Sequence, residues 1–420
     1  MSTVAAPIYG SQKLRRVLFA ALAIGLVWEV TSRTFAAFLA NFAPEQALYI
    51  RSQQPTALVR LAQTKLGASD DKQAGRMAEQ ALLSDPLNAQ ALRILGQIAE
   101  LSKDGPRSWQ FMQASVRRSL NESLAVIWLM YRSAERRDYA AAMYYADVLL
   151  RTRPQLGSEV VIPVLARIAE DKEAVVAFKE MLSRDPPWRA QFFDALPGSI
   201  TDARTPLDLL MALKHSPVPP AAAELRSYLN FLIGRKFYAL AYYTWLQFLP
   251  SDQISGAGFV FNGGFQTVPS GLPFDWLISP GAGATVEIDT VPDDGGNRAL
   301  FARFEDGRVD FGRVAQLIVL APAKYRLEAT YKGTLLGQRG LKWRVTCVEG
   351  PTAAVGESGM IKGVSSVWKT VEFSFTVPGS DCPAQYLHLD LDARMASERF
   401  VSGEVWLDNV QIFRVGDAAQ

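Results

Sequence analysis

The hydrophobic positions of this chain change their spacing twice. Residues 17–28 (VLFAALAIGLVW) are continuously apolar, with Lys13, Arg15 and Arg16 before them and Glu29 and Arg33 after. From 35 to 250, Ala and Leu recur at i, i+3 and i+4, which is the pattern of one apolar helix face. From about 252, Gly, Val, Thr and Phe rise, and apolar residues alternate with polar ones between turn residues, the period of half-buried strands. The expected fold class is therefore an α + β multidomain chain. Its parts are a tail and membrane anchor over 1–34, a helical solenoid over 35–250 and an antiparallel β-sandwich over 252–420.

The helical part carries a longer period. Pro86 and Pro154 are 68 positions apart, twice 34, and a frame of 34 aligns further positions. First-helix slots hold Leu58, Leu92 and Val126, then Leu61, Leu95 and Leu129, then Ala62, Gly96 and Met130. Second-helix slots hold Ala74, Ser108 and Ala142, then Ala78, Met112 and Ala146, then Ala81, Ser115 and Leu149. Small residues let paired helices approach, leucines fill the seam, and the prolines end the second helix. This pattern resembles the tetratricopeptide repeat (TPR), with frames at 55–88, 89–122 and 123–156. Ser108, Ser115 and Leu120 depart from it.

Beyond 156 the period loosens. Ala174, Phe178, Met181 and Pro186 read as a second helix two residues early, and helices are predicted near 204–214, 220–233 and 235–248. The whole predicts a right-handed solenoid of five to six helix pairs. Such arrays present a concave face to a segment of another protein. The slot residues themselves are core. Two readings stand for the aromatic cluster Tyr238, Tyr242, Tyr243, Trp245 and Phe248: packing against the next domain, or a partner-binding patch. Arg132, Arg136 and Arg137 read as solvated surface.

The apolar run of 17–28 covers about 18 Å as a helix, against roughly 30 Å of hydrocarbon. Counted from Lys13 to Arg33, with long side chains reaching toward headgroups, the span is about 30 Å. A membrane anchor is the leading reading. A cleaved signal peptide and a buried soluble helix are the alternatives. Cations before the run place the N-terminus in the cytoplasm. The expectation is a single-pass protein of a bacterial inner membrane with its bulk in the periplasm. Cys347 and Cys382, 35 positions apart in the β-domain, fit an oxidising compartment as a disulfide, and two separate buried thiols are the alternative.

Strands are predicted at 259–267, 298–305, 314–320, 324–332, 341–348, 367–377, 385–392 and 403–413, which points to a jelly roll. Four segments, in this order, resemble jelly-roll carbohydrate-binding modules of bacterial glycan-processing proteins. They are Asn262-Gly263-Gly264-Phe265 with Trp276, Pro322-x-Lys324-Tyr325-Arg326-Leu327, Trp368-Lys369-Thr370-Val371, and the run from Ser402 to Val410. The resemblance spans about 259–413 and implies a polysaccharide ligand. Joined to an anchor and tetratricopeptide-like helices, it is similar in architecture to membrane-anchored proteins encoded with bacterial exopolysaccharide machinery. That similarity implies a scaffold with protein partners in an envelope polysaccharide assembly. A purely structural scaffold whose β-domain meets no sugar is the alternative.

Alternation assigns candidate ligand residues. Lys342, Arg344, His388, Asp390 and Trp406 are expected to face outward and to form one polar surface with an exposed indole, the combination that sugar recognition needs. Asp408, with acidic groups near Asp293-Asp294, could contribute oxygens to a structural calcium, which related modules often hold; no other cofactor is expected. Composition narrows the chemistry further. Lys+Arg total 44 and Asp+Glu 42, so no nucleic-acid partner is expected. Two His and two Cys leave little for a zinc or iron–sulfur site. No G-x-S-x-G elbow and no phosphate-binding loop is present, and no enzymatic activity is expected.

Overall fold

The computed structural model describes residues 9–254, 258–305, 307–349 and 354–416. The chain forms two compact units, Met1–Met181 and Leu182–Gln420.

The first unit opens with α1 (Tyr9–Leu39) and α2 (Pro44–Ile50), followed by three helix pairs at intervals of 34 residues: α3 (Pro55–Gly67) and α4 (Asp71–Ser84), α5 (Ala89–Leu101) and α6 (Gly105–Arg118), α7 (Ser123–Glu135) and α8 (Tyr139–Thr152). Each pair is joined by the same turn. Ser69, Lys103 and Arg137 take left-handed φ of 61°, 60° and 59°. The next residue, Asp70, Asp104 or Asp138, caps the second helix by accepting from the backbone N–H of Gln73, Arg107 or Ala141. The period is thus written in the turns as well as in the apolar slots.

The departures from the frame have local causes. Ser108 and Ser115 are buried, and their hydroxyls donate to the carbonyls of Gly96 (3.0 Å) and Ala89 (2.8 Å). A hydroxyl here ties one helix to the next where alanine would only pack. Gly96 lies against the same helix, and a Cβ there would sit 3.0 Å from Met112 Cγ. α9 (Pro154–Leu156) runs through a π-helical segment, Gly157–Val161, into α10 (Ile162–Ala169) and then α11 (Val175–Leu182). The 34-residue register is lost over this irregular stretch, and α11 ends at Leu182, before the frame's expected position.

The arginines expected on open surface are engaged. Arg132 pairs with Glu100 and, at 2.7 Å, with Glu135, while Arg137 meets Glu173 at 2.9 Å. Arg136 stacks over Trp109, 4.1 Å from its ring centroid.

The expected membrane-spanning segment is not supported. α1 forms over 31 residues, but no helix among the described residues is long and apolar enough to cross a membrane. Glu29 lies in its second half and pairs with Arg33 (2.6 Å) and Arg51 (3.0 Å). The uninterrupted apolar stretch stays near 18 Å.

The second unit begins with α12 (Arg189–Ser199), α13 (Thr205–Leu213), α14 (Ala222–Gly234), α15 (Tyr238–Phe248) and α16 (Ser251–Ile254). The sequence reading did not anticipate α12; Pro197 inside it masks its periodicity, although Phe192, Phe193 and Leu196 are buried. A β-sandwich follows, with strands β1 (Leu277–Ser279), β2 (Ala284–Thr290), β3 (Arg298–Phe304), β4 (Arg313–Ile318), β5 (Ala323–Gly337), β6 (Leu341–Cys347), β7 (Ala354–Glu357), β8 (Gly363–Val377), β9 (Gln385–Leu391) and β10 (Val401–Arg414). They form two antiparallel sheets, ordered β1-β4-β9-β6-β7 and β2-β3-β10-β5-β8. Trp343, Leu387, Leu389, Leu300, Leu407 and Val405 meet between them.

One expected strand is absent. Residues 259–267 form turns, with Asn262 and Phe265 at φ of 50° and 51°. Gly263 lies so close to the last strand that a Cβ would fall 2.0 Å from the Val410 carbonyl. The loop is nonetheless structural: Trp276 donates its indole N–H to the Asn262 carbonyl (3.0 Å), and Phe265 stacks on Trp276 at 5.0 Å. The motif that carried the family resemblance therefore builds the sandwich base. Strands β1, β2 and β7 were not predicted. β1 and β7 hold three and four residues, too few to show alternation.

The aromatic cluster of α15 packs within this unit. Trp245 meets Phe261 edge-to-face at 4.9 Å and Phe274 at 5.7 Å, and Tyr242 meets Phe274 at 5.4 Å. Lys236 and Tyr238 both reach the Glu349 carboxylate, at 2.5 and 3.0 Å. Tyr243 remains 62% exposed.

Cys347 and Cys382 form a disulfide, with Cα atoms 5.1 Å apart. It ties the end of β6 to the segment leading into β9. Replacing both by Ser removes a cross-link that closes a 35-residue loop. The expected cost is about 3–4 kcal/mol of unfolding free energy, read from urea denaturation under oxidising conditions. A loss below about 1 kcal/mol would show that the link constrains little.

Candidate functional site

Strand register decides which candidates share a surface. On the first sheet, Lys342 pairs with Asp390 and Arg344 with His388 across β6 and β9. These four stand together on the outer face. Their charges are already used. Lys342 Nζ lies 2.8 Å from Glu357 and 3.5 Å from Asp392. Arg344 reaches Glu357 at 3.1 Å and Asp390 at 3.5 Å, and it also pairs with Asp392. His388 Nδ1 sits 2.6 Å from Asp390 Oδ2, and Arg339 binds Glu398 at 2.9 Å and Asp392 at 3.5 Å.

The network shows in the titration of its members. Hydrogen bonds from Lys342 and Arg344 hold the Glu357 carboxyl below the usual carboxylate range. Burial works against the Arg344 charge, yet Glu357 and Asp392 outweigh it and raise its pKa. A ligand carboxylate at this face would compete with Glu357, Asp390 and Asp392 for the same cations. The arrangement locks the face of β6, β7 and β9 together.

Trp406 stands on the other sheet. Its neighbours across the strands are Phe301 on β3 and Lys332 on β5, and Glu287 on β2 lies beyond Phe301. The row Glu287–Phe301–Trp406–Lys332 crosses four strands on one face. The structure thus separates Trp406 from the four charged candidates, which an alternation argument cannot do because it fixes the face of each strand but not its sheet. Phe301 is buried under Trp406, with ring centroids 4.5 Å apart at 34°, and Arg303 Cζ lies 5.1 Å over Phe301. Arg303 in turn donates to Glu404 at 2.7 Å. Trp406 itself is only half-buried.

Two glycines shape the strands beneath this platform. Gly333 (φ 134°) and Gly403 (φ 115°) lie where a Cβ would fall 2.3 Å from the Glu404 carbonyl and 2.2 Å from the Thr334 carbonyl. The register of β5 against β8 shifts between Tyr331 and Gly333, beside Lys332. Such irregularities re-aim neighbouring side chains and increase local twist.

The sequence reading missed Phe301, Arg303 and Lys332. Phe301 sits among apolar residues (ALFARF) and reads as core; its exposed-face position follows only from its pairing with Trp406. A paired-ring platform with fixed polar neighbours can stack the C–H face of a pyranose and hydrogen-bond its rim.

Asp408 is buried, and burial is the main cause that pushes its carboxyl above the ordinary value. Its oxygens accept from Asn297 Nδ2 (3.0 Å) and from the Asn409 backbone N–H (2.7 Å). A calcium ion needs six to eight oxygens around it. Here N–H donors face the carboxylate, and no group of three or more His, Cys, Asp or Glu side chains among the described residues could hold a metal.

No protein-family model and no curated protein matches this chain. Among solved structures, it is similar to a CBM4 carbohydrate-binding module at 16% identity, over 37% of this chain and 99% of that one, with a TM-score of 0.28. It is also similar to a family 16 carbohydrate-binding module, at 17% identity over 37% and 100%, with a TM-score of 0.27. A putative sugar binding protein from Bacteroides thetaiotaomicron matches at 12% identity over 38% and 100%, with a TM-score of 0.28. Likenesses at this level carry no ligand or activity over to this chain.

Proposed function

We propose that the β-sandwich is a glycan-binding domain whose ligand stacks on Trp406. The observation that carries this reading is the half-open indole seated on Phe301, on an outer sheet face flanked by Arg303, Glu404, Thr334 and Lys332. The helical pairs then serve as docking surface for protein partners. The chain acts without catalysis, as a scaffold in a bacterial exopolysaccharide assembly of the cell envelope. The disulfide fits an oxidising compartment. Membrane attachment through α1 is supported by its exposed apolar side chains, Phe19, Leu22, Ile24 and Val27 among them.

A second reading, a β-domain that serves only to brace the helices, draws on the docking of Trp245 and Tyr242 against Phe261 and Phe274. Calorimetric titration of the intact chain against neutral and acidic bacterial polysaccharides, with and without calcium, separates the two. Saturable binding to at least one polymer is expected, unchanged within twofold in Arg344→Gln because that side chain is committed to its ion pairs. Absence of binding by folded protein across the panel favours the structural reading.

A further inference from the structure

We propose that the Trp406 platform selects saccharides that carry a carboxylate, and that Lys332 is the residue that reads it; the inference rests on the glycan reading above. The outer row of this sheet is polar at both ends. Lys332 is the direct cross-strand neighbour of Trp406, and Glu287 is the direct neighbour of Phe301. Directly opposed side chains on one sheet face start about 5 Å apart. A pyranose ring lying on the indole therefore brings a substituent at its edge within reach of the Lys332 ammonium.

Among the described residues, Lys332 carries an unpaired charge directly beside the indole. Arg303 is held by Glu404 at 2.7 Å, and Lys342 and Arg344 of the other sheet are held by Glu357 and Asp392. Lys332 forms no ion pair among the described residues, and neither does Glu287. Gly333, the next residue, fixes the backbone at this point through its close approach to the Glu404 carbonyl.

The two ends of the row also orient a ligand. A uronate carboxylate is attracted to the Lys332 end and repelled by Glu287 at the far end, about three strand spacings or roughly 14 Å away. An acidic sugar thus has one favoured position on the platform, whereas a neutral sugar has no charge with which to choose. A lysine suits this role because its ammonium is a mobile point charge that follows a carboxylate on a flexible stem.

The test titrates the intact chain with a hexamer of galacturonic acid and with the matching neutral galactose hexamer, at low and at about 0.5 M salt. The acidic hexamer is expected to bind more tightly at low salt and to lose that advantage at high salt. Lys332→Gln is expected to weaken acidic binding about fivefold more than it weakens neutral binding, while Lys332→Arg keeps the preference. Lys332 is on the sheet surface, and an unchanged thermal melt confirms that each variant is folded. Equal affinity for the two hexamers, or an acidic affinity unaltered in Lys332→Gln, overturns the carboxylate inference and leaves glycan binding standing. If neither hexamer binds, the inference falls. Failure of every other polysaccharide as well takes the Trp406 reading with it.

Discussion

Arg189→Ala is expected to destabilise the second unit by about 3–5 kcal/mol. Arg189 is 2% exposed at the start of α12 and forms a two-pronged pair with Glu224 on α14, at 2.7 and 2.8 Å. Its remaining N–H groups donate to the carbonyls of Leu182 (2.9 Å), Val218 (3.1 Å) and Pro219 (3.2 Å). Truncation leaves a buried carboxylate without its counter-charge and removes the arginine donor from the Pro219 carbonyl, while the Leu182 and Val218 carbonyls keep the Asp185 backbone N–H and the Ser216 hydroxyl; the desolvation cost of the carboxylate is no longer offset. The local sequence makes the arginine hard to replace, because Pro219 and Pro220 supply no backbone N–H of their own. Urea denaturation of the intact chain reads the effect. The paired substitution Arg189→Met with Glu224→Leu is expected to recover much of the loss. A single-variant loss below about 1 kcal/mol would show that solvent reaches the pair.

Trp406→Ala carries the largest expected effect on function. Central aromatic anchors cost about 2 kcal/mol or more when truncated, which is about a thirtyfold loss of affinity. Trp406→Phe keeps a ring over Phe301 and is expected to retain most of the binding. The alanine variant uncovers Phe301 but removes no group from between the sheets, so its melting temperature is expected to fall by only a few degrees. Loss of affinity without loss of fold is the signature of a contact surface. If Trp406→Ala unfolds the domain, the indole is structural; Trp406→Phe then decides whether it also meets sugar.

The sequence made the two architectures legible for different reasons. Small residues at 34-residue spacing mark the three pairs α3–α8 because close helix packing admits little else at those slots. Asp70, Asp104 and Asp138 carry the same interval for capping, a signal available in the sequence and not used. The strands with clean alternation, β6, β9 and β10, were placed correctly. Residues 259–267 were taken for a strand because aromatic and Gly-rich turns share strand composition. The candidate surface was legible by face and illegible by sheet. Lys342, Arg344, His388, Asp390 and Trp406 all point outward, yet the pairing order puts β6 and β9 in one sheet and β10 in the other. Pairing between strands distant in sequence leaves no periodic mark. For the same reason Phe301 and Lys332, which flank Trp406 across two such pairings, could not be named in advance.

The glycan's position is tested most directly by the tryptophan indole N–H resonances of the intact, ¹⁵N-indole-labelled protein, followed while a polysaccharide from the titration panel is added. The account predicts that the Trp406 signal, assigned by its loss in Trp406→Phe, shifts with saturation. Trp276 and Trp343, both buried between the sheets, should stay in place. A saturable ligand that leaves the Trp406 signal unmoved would contradict the account and send the search for the binding surface elsewhere on the chain.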